Sequence, residues 1–169
     1  GMDATLMNGA TCTAGEGVVL DGEDDYLDLV GQSFGGGPMT VAIWARWDAL
    51  NENERLCEFA DGRDDDNIVI KHSGASGTIS FSIYVGSSGE TPDAAGSIVV
   101  GAWTHVVATV HGTSMKLYQD ATLVSSADDG QEPTSMTRAN HWLGGASYED
   151  NRFFEGAIKT MQIWSRALS

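Results

Sequence analysis

Residues 78–85, TISFSIYV, put Ile79, Phe81, Ile83 and Val85 on one side of an extended chain and Ser80, Ser82 and Tyr84 on the other. Successive side chains of a strand point to opposite faces, so this alternation is that of a half-buried antiparallel strand. The same period runs through MTVAIWARW, where Val41, Ile43, Ala45 and Trp47 oppose Ala42, Trp44 and Arg46. It recurs in GEGVVLDG, NIVIKH, WTHVVATVHG, MKLYQDATLV and HWLGG, each bounded by Gly, Asp, Asn or Ser. No segment carries the i, i+3, i+4, i+7 stripe of an amphipathic helix. Short strands at intervals of roughly ten residues predict an all-β fold, an antiparallel two-sheet jelly-roll sandwich. With 169 residues and no linker or repeat, the chain is expected to form one domain over 1–169.

Charge narrows the partners. The formal net charge is −15, and no Lys/Arg-rich stripe offsets it. A phosphate backbone or an anionic membrane surface is therefore excluded as a partner. Two readings of the acidic surplus stay open: a solubilising surface, or carboxylates that hold a hard cation such as calcium. No run of apolar residues is long enough to span a bilayer. No signal peptide is legible, and Gly1-Met2 together with the abrupt end at Ser169 fit a module cut from a longer chain. Cys12 and Cys57 lack metal-ligand spacing, leaving either two small buried thiols or one disulfide.

The residues argue against catalysis. Glycoside hydrolysis needs two carboxyls facing one cleft, and no Glu-x-Asp-x-x-Glu run exists. Glu52, Glu54 and Glu58 fall in NENERLCEF and read as solvated turn charges. His105 reads as a hydrogen-bonded structural residue. No Ser or Cys stands in a nucleophile elbow, and FGGGP at 34–38 leads into a strand rather than a phosphate-cradling helix. The expectation is a protein that is not an enzyme.

Three stretches resemble one family. GVVLDGEDDYLDL is similar to the opening strands of laminin-G-like, concanavalin A-like jelly-roll modules, with an Asp-Gly turn, acidic residues and an aromatic. WTHVVATVHGTSMKLYQDATLV resembles their central hairpin, with Asp120-Ala121 where the family usually has Asp-Gly. RANHWLGGASYEDNRFFEGAIKTMQIWSRALS resembles their last turn and strand. The resemblance implies a non-catalytic carbohydrate-binding (lectin-like) module acting outside the cell within a larger protein. The alternatives are a protein–protein adhesion or architectural module and, last, a degenerate glycoside hydrolase.

The resemblance also implies a rim calcium held by Asp66 and Asn140 with a carbonyl near Ile83. A second cation site is expected in Asp21-Gly22-Glu23-Asp24-Asp25, with Asp21 and Asp25 as ligands, unless Asp21 merely caps its own backbone. Sugar recognition needs flat aromatic faces and polar forks, for which the candidates are Arg63, Tyr84, Arg138, Trp142, Tyr148 and Arg152. Trp142 is equally a core candidate, and Arg138 and Arg152 are also candidate partners for the surplus acids. Trp44, Trp103 and Trp164 are expected in the core.

Overall fold

The computed structural model describes residues 3–29, 33–62, 65–74, 76–86, 88–90, 93–94, 98–148 and 152–169, and only the backbone of 88, 90, 93 and 94. The strands in chain order are β1 (Ala4–Met7), β2 (Thr11–Thr13), β3 (Gly17–Asp21), β4 (Tyr26–Leu29), β5 (Ser33–Phe34) and β6 (Met39–Trp47). Then come β7 (Arg55–Ala60), β8 (Ile68–Ser73), β9 (Thr78–Val85), β10 (Ser88–Glu90) and β11 (Asp93–Ala94). The last six are β12 (Trp103–His111), β13 (Ser114–Gln119), β14 (Thr122–Ala127), β15 (Met136–Thr137), β16 (Asn140–Leu143) and β17 (Glu155–Trp164).

Two antiparallel sheets form the sandwich. The first runs β1-β4-β16-β7-β8-β9-β10, with β11 also on β9, and the second runs β14-β13-β12-β6-β17-β3-β2. The short pair β15-β5 stands apart. The alternation read from the sequence decides which residues meet between the sheets. Val41, Ile43, Ala45 and Trp47 of β6 and Val106, Ala108 and Val110 of β12 face Cys57, Phe59, Ile68, Ile70, Phe81 and Ile83 in one apolar core. Trp47 is fully buried and meets Phe154 edge-on at 5.3 Å.

The N-terminal segment stitches the sheets, because β1 pairs with β4 in the first and β2 with β3 in the second. β17 closes the second sheet between β6 and β3. Gly144 has φ +82, and a Cβ there would meet Leu20 Cδ1 at 2.2 Å, so only glycine lets the chain turn so close to the core.

Three expectations are corrected here. Trp44 is 40 % exposed, and Trp103 and Trp164 are half-buried, all on the outer face of the second sheet. The reason is parity: each falls on the opposite beat from the core residues of its strand. Cys12 and Cys57 form no disulfide, since Cys12 is exposed on the second sheet and Cys57 is buried in the first. Burial pushes the Cys57 thiol up to about 12. Glu54 and Glu58 are not solvated turn charges; both are 1 % exposed.

Candidate functional site

Directly paired residues of an antiparallel sheet share a face, so register maps the outer surface of the first sheet. Asp28 pairs with Trp142, Trp142 with Glu58, Glu58 with Val69 and Val69 with Ser82, giving one row across five strands. Tyr26 shares Asp28's face, two residues away on β4. Its ring stacks on Trp142 with centroids 3.8 Å apart and planes 19° apart, and Phe153 adds a tilted contact to Tyr26 at 6.4 Å. Burial, with Asp28 nearby, raises the Tyr26 phenol above its ordinary value. Tyr26, Trp142 and Phe153 are half-buried and Asp28 is exposed, so an aromatic surface with a carboxylate beside it meets solvent.

The loop after β16 folds over the middle of that row. Ser147 N–H donates to Glu58 Oε2 at 3.0 Å, Arg55 Nε donates to Oε1 at 3.4 Å, and the Tyr148 side chain also bonds to Glu58. Burial raises the Glu58 carboxyl, opposed by these three partners. Glu58 is thus a structural anchor that positions Tyr148. Tyr84 lies on the same face of β9, two residues beyond Ser82 and three strands from Trp142, about 14 Å across the sheet. Arg152 Nη1 donates to Glu52 O at 3.1 Å at one end of the sandwich. Trp142 and Tyr148 therefore come together, Tyr84 stands apart from them, Arg152 joins their surroundings through its carbonyl, which accepts from Arg55 N–H at 3.0 Å, and Arg63 lies outside the described residues.

Arg138 is not a surface fork. It is 0 % exposed, and its guanidinium donates to Asp66 O at 2.7 Å, Phe34 O at 3.1 Å and Thr134 O at 3.2 Å. Burial lowers its basicity, opposed by Asp66 and Asp61. The groups expected to hold rim calcium have other partners. Asp66 Oδ1 accepts from Thr134 Oγ1 at 2.5 Å, and Ile83 O accepts from Gln131 Nε2 at 3.2 Å. Asn140 pairs with Ala60 at the start of β16. His141, next in the chain, is fully buried among Phe34 and Phe59 with neither ring nitrogen hydrogen-bonded, and burial lowers its basicity, as does Arg138.

The opposite end is acidic. One oxygen from each of Asp21, Asp24 and Asp25 lies within 4.8 Å of the others, a set that can hold a metal ion. Asp25 is buried, accepting from Gly9 N–H at 2.6 Å and Asp21 N–H at 3.2 Å. Asp21 Oδ1 accepts from Glu23 N–H at 2.9 Å and Asp24 N–H at 3.4 Å, the self-capping turn that the sequence also allowed. Nearby, Glu54 is pushed up to about 8 by burial, partly opposed by backbone hydrogen bonds from Glu155 and Asn51. Glu54 Oε1 has no hydrogen-bond partner and lies 3.6 Å from His72 Nδ1. His72 donates from Nδ1 to Asn51 O and accepts at Nε2 from Gly77 N–H, both at 3.0 Å, which fixes a neutral imidazole. Each buried glutamate serves neighbouring backbone or side-chain groups: Glu58 accepts from Arg55 and Ser147, and Glu54 from the Glu155 N–H.

Sequence reasoning missed Tyr26, Asp28 and Phe153 as surface groups. The signal for the first two was present, since Tyr26 and Asp28 alternate with the buried Leu27 and Leu29. Cavities of about 440, 380 and 310 Å³ lie elsewhere: beside the C-terminal residues on the second sheet, around the Gly35–Gly37 turn, and between the sheets near Val18 and Leu29. Among the described residues no helix is long and apolar enough to cross a membrane.

Residues 21–169 match the model of the concanavalin A-like lectin/glucanases superfamily, and the chain belongs to that family. No curated protein matches it. Among solved structures it is similar to domain 4 of an extracellular arabinanase from Geobacillus stearothermophilus in complex with arabinotriose. That likeness has 20 % identity and a TM-score of 0.73, over 98 % of this chain and 77 % of the other. The Ruminococcus gnavus IT-sialidase CBM40 bound to α2,3-sialyllactose is similar at 16 % identity and TM-score 0.67, over 79 % of this chain and 78 % of that one. The receptor-binding domain of botulinum neurotoxin C/D mosaic serotype is similar at 13 % identity and TM-score 0.76, over 99 % of this chain and 44 % of that one. Identities this low establish the sandwich alone.

Proposed function

We propose that the chain is a non-catalytic, lectin-like carbohydrate-binding module that works outside the cell and seats a glycan on the outer face of its first sheet. The observation that carries this reading is the Tyr26–Trp142 stack at 3.8 Å with Asp28 beside it. A stacked pair locks both rings, so little rotamer entropy remains to be lost when a sugar's C–H face settles on them. Asp28 then accepts from hydroxyls, and Tyr148, held by Glu58, closes one side. The arabinotriose and sialyllactose complexes of two similar structures support a glycan as ligand class. Extracellular action draws on the first of them being a domain of an extracellular enzyme.

Calcium is the cation we assign to the Asp21, Asp24 and Asp25 oxygens, a hard-ion donor set with Asp24 and one Asp21 oxygen left for the ion. The ion would secure the turn beneath Tyr26 rather than touch sugar. The second reading, a protein–protein adhesion module, draws on the similarity to a receptor-binding domain. A glycan array with and without chelator separates the two. Hits lost on Trp142→Ala support the lectin reading. An empty array in both conditions, with a partner recovered by cross-linking that no glycan displaces, supports adhesion.

A further inference from the structure

Glu54, just before β7, and His72 on β8 lie side by side inside the sandwich, both fully buried. Glu54 Oε1 is 3.6 Å from His72 Nδ1 and is bonded to nothing, while Oε2 accepts from Glu155 N–H at 3.4 Å. His72 has both ring nitrogens committed. Nδ1 donates to Asn51 O and Nε2 accepts from Gly77 N–H, so a second ring proton would point at an N–H donor. Forming an imidazolium to answer an ionised Glu54 would therefore break the Gly77 bond.

The neighbouring charges offer no relief. Arg55 and Lys71, cross-strand partners on β7 and β8, take the opposite beat, and Arg46 is engaged by Glu16 and Asp48 on the outer face of the second sheet. Glu155 faces Glu54 from β17 and opposes its ionisation, and Asp21 stands opposite Glu155 on β3. A buried carboxyl without a cation is stable only as the neutral acid. The pair therefore holds one titrating proton, on Glu54.

The pair grips the turn at 51–53. Asn51 O is taken by the His72 ring, Asn51 N–H is bonded to the Glu54 carboxyl, and Glu54 O accepts from His72 N–H at 3.0 Å. The two remaining carbonyls of the turn hold arginines: Glu52 O accepts from Arg152 Nη1 at 3.1 Å and Asn53 O from Arg55 Nη1 at 3.2 Å. Arg55 in turn reaches Glu58, which binds Ser147 N–H and Tyr148 beside Trp142. This is a contiguous chain of hydrogen bonds from a buried proton to the aromatic surface. An ionised Glu54 is better solvated with the turn lifted, so loss of the proton favours the lifted form. We propose that Glu54 and His72 form a one-proton clamp on the 51–53 turn, whose release slackens Arg55, Glu58 and Tyr148 beside Trp142. The clamp stands whatever the aromatic surface binds.

The test is amide hydrogen exchange of the whole chain between about pH 6 and 8, read as protection factors, which remove the intrinsic pH dependence of exchange. Protection of Asn51, Gly77 and Ser147 N–H is expected to fall by up to about tenfold per pH unit and to level off above about 8. These amides should be at least about tenfold less protected than those of Val41 and Ile43, which marks a local opening. In Glu54→Gln the pH dependence should disappear at all three. Should that variant fail to fold, the wild-type Glu54 carboxyl carbon must titrate in NMR at about 8 and not in the ordinary carboxylate range. The proposal is overturned if wild-type protection is flat, if Glu54→Gln keeps the slope, or if the clamp amides are as protected as Val41 and Ile43. A Ser147 amide that ignores the Glu54 substitution overturns the link to the aromatic surface.

Discussion

The two ends of the sandwich solve opposite electrostatic problems. At the Arg138 end, backbone carbonyls of Phe34, Asp66 and Thr134 converge, and the chain supplies a buried guanidinium to meet them. At the Asp21 end, backbone N–H groups of Gly9, Asp21, Glu23 and Asp24 converge, and the chain supplies carboxylates. Each end is complementary to the dipoles of its own loops. The difference teaches where an added cation has work to do. The first end already contains its positive charge, while the second keeps carboxylate oxygens to spare.

The hardest blow to this contrast is Arg138→Met. It leaves three carbonyls unmatched and should cost about 3–5 kcal/mol in chemical unfolding. A cost below about 1 kcal/mol would mean that water replaces the guanidinium and that the two ends are not so different. Calcium sharpens the contrast next. A thermal melt in calcium against chelator should show a stabilisation near 2.7 kcal/mol at a hundredfold excess over Kd. The gain should vanish in Asp24→Asn and persist in Asp66→Asn; the reverse pattern would restore the rim site.

The third probe is pH. Glu54 binds its proton more tightly in the folded chain, at about 8, than its ordinary 4.5. Its contribution is therefore complete below about 4.5, declines as pH rises through that window and is gone above about 8. His72 works the other way: its basicity is lowered by burial, so its contribution is held above its ordinary value and lost as pH falls. Melting points taken across this range should decline on the alkaline side for the wild type and run flatter for Glu54→Gln. A parallel decline in both would assign the effect to another group.

The smallest effect is in the β13–β14 hairpin, where Asp120 and Ala121 have φ of +48 and +66. A two-residue turn with both central residues left-handed suits Gly at the second, and Ala121→Gly should gain roughly 0.5–1 kcal/mol. An unchanged melting point would show that the strain is already relieved.

Parity accounts for what was legible in the sequence. Alternation gave the two sheets, the core faces of β6, β9 and β12, and, read strictly, the outward placement of Tyr26, Trp44 and Trp142. The departures are residues whose surroundings come from far along the chain. Arg138 meets a carbonyl 104 positions away, and Glu58 is capped by an amide 89 positions away. No local window holds that information, so Arg138 read as a surface fork and Glu58 as a solvated charge. Asp25 was legible as part of a charge cluster, but its hold on Gly9, 16 positions back, was not.

The hydroxyl of Thr40 donates to Arg166 O at 2.8 Å and accepts from Leu168 N–H at 2.9 Å, while β17, just upstream, lies between β6 and β3. Mechanically this arranges two yield points in series. Tension on Ser169 first releases a latch made by one side chain, and only afterwards loads an interior strand whose ladder must rupture on both flanks. A module fastened in this way can give slack under a light tug without surrendering its core.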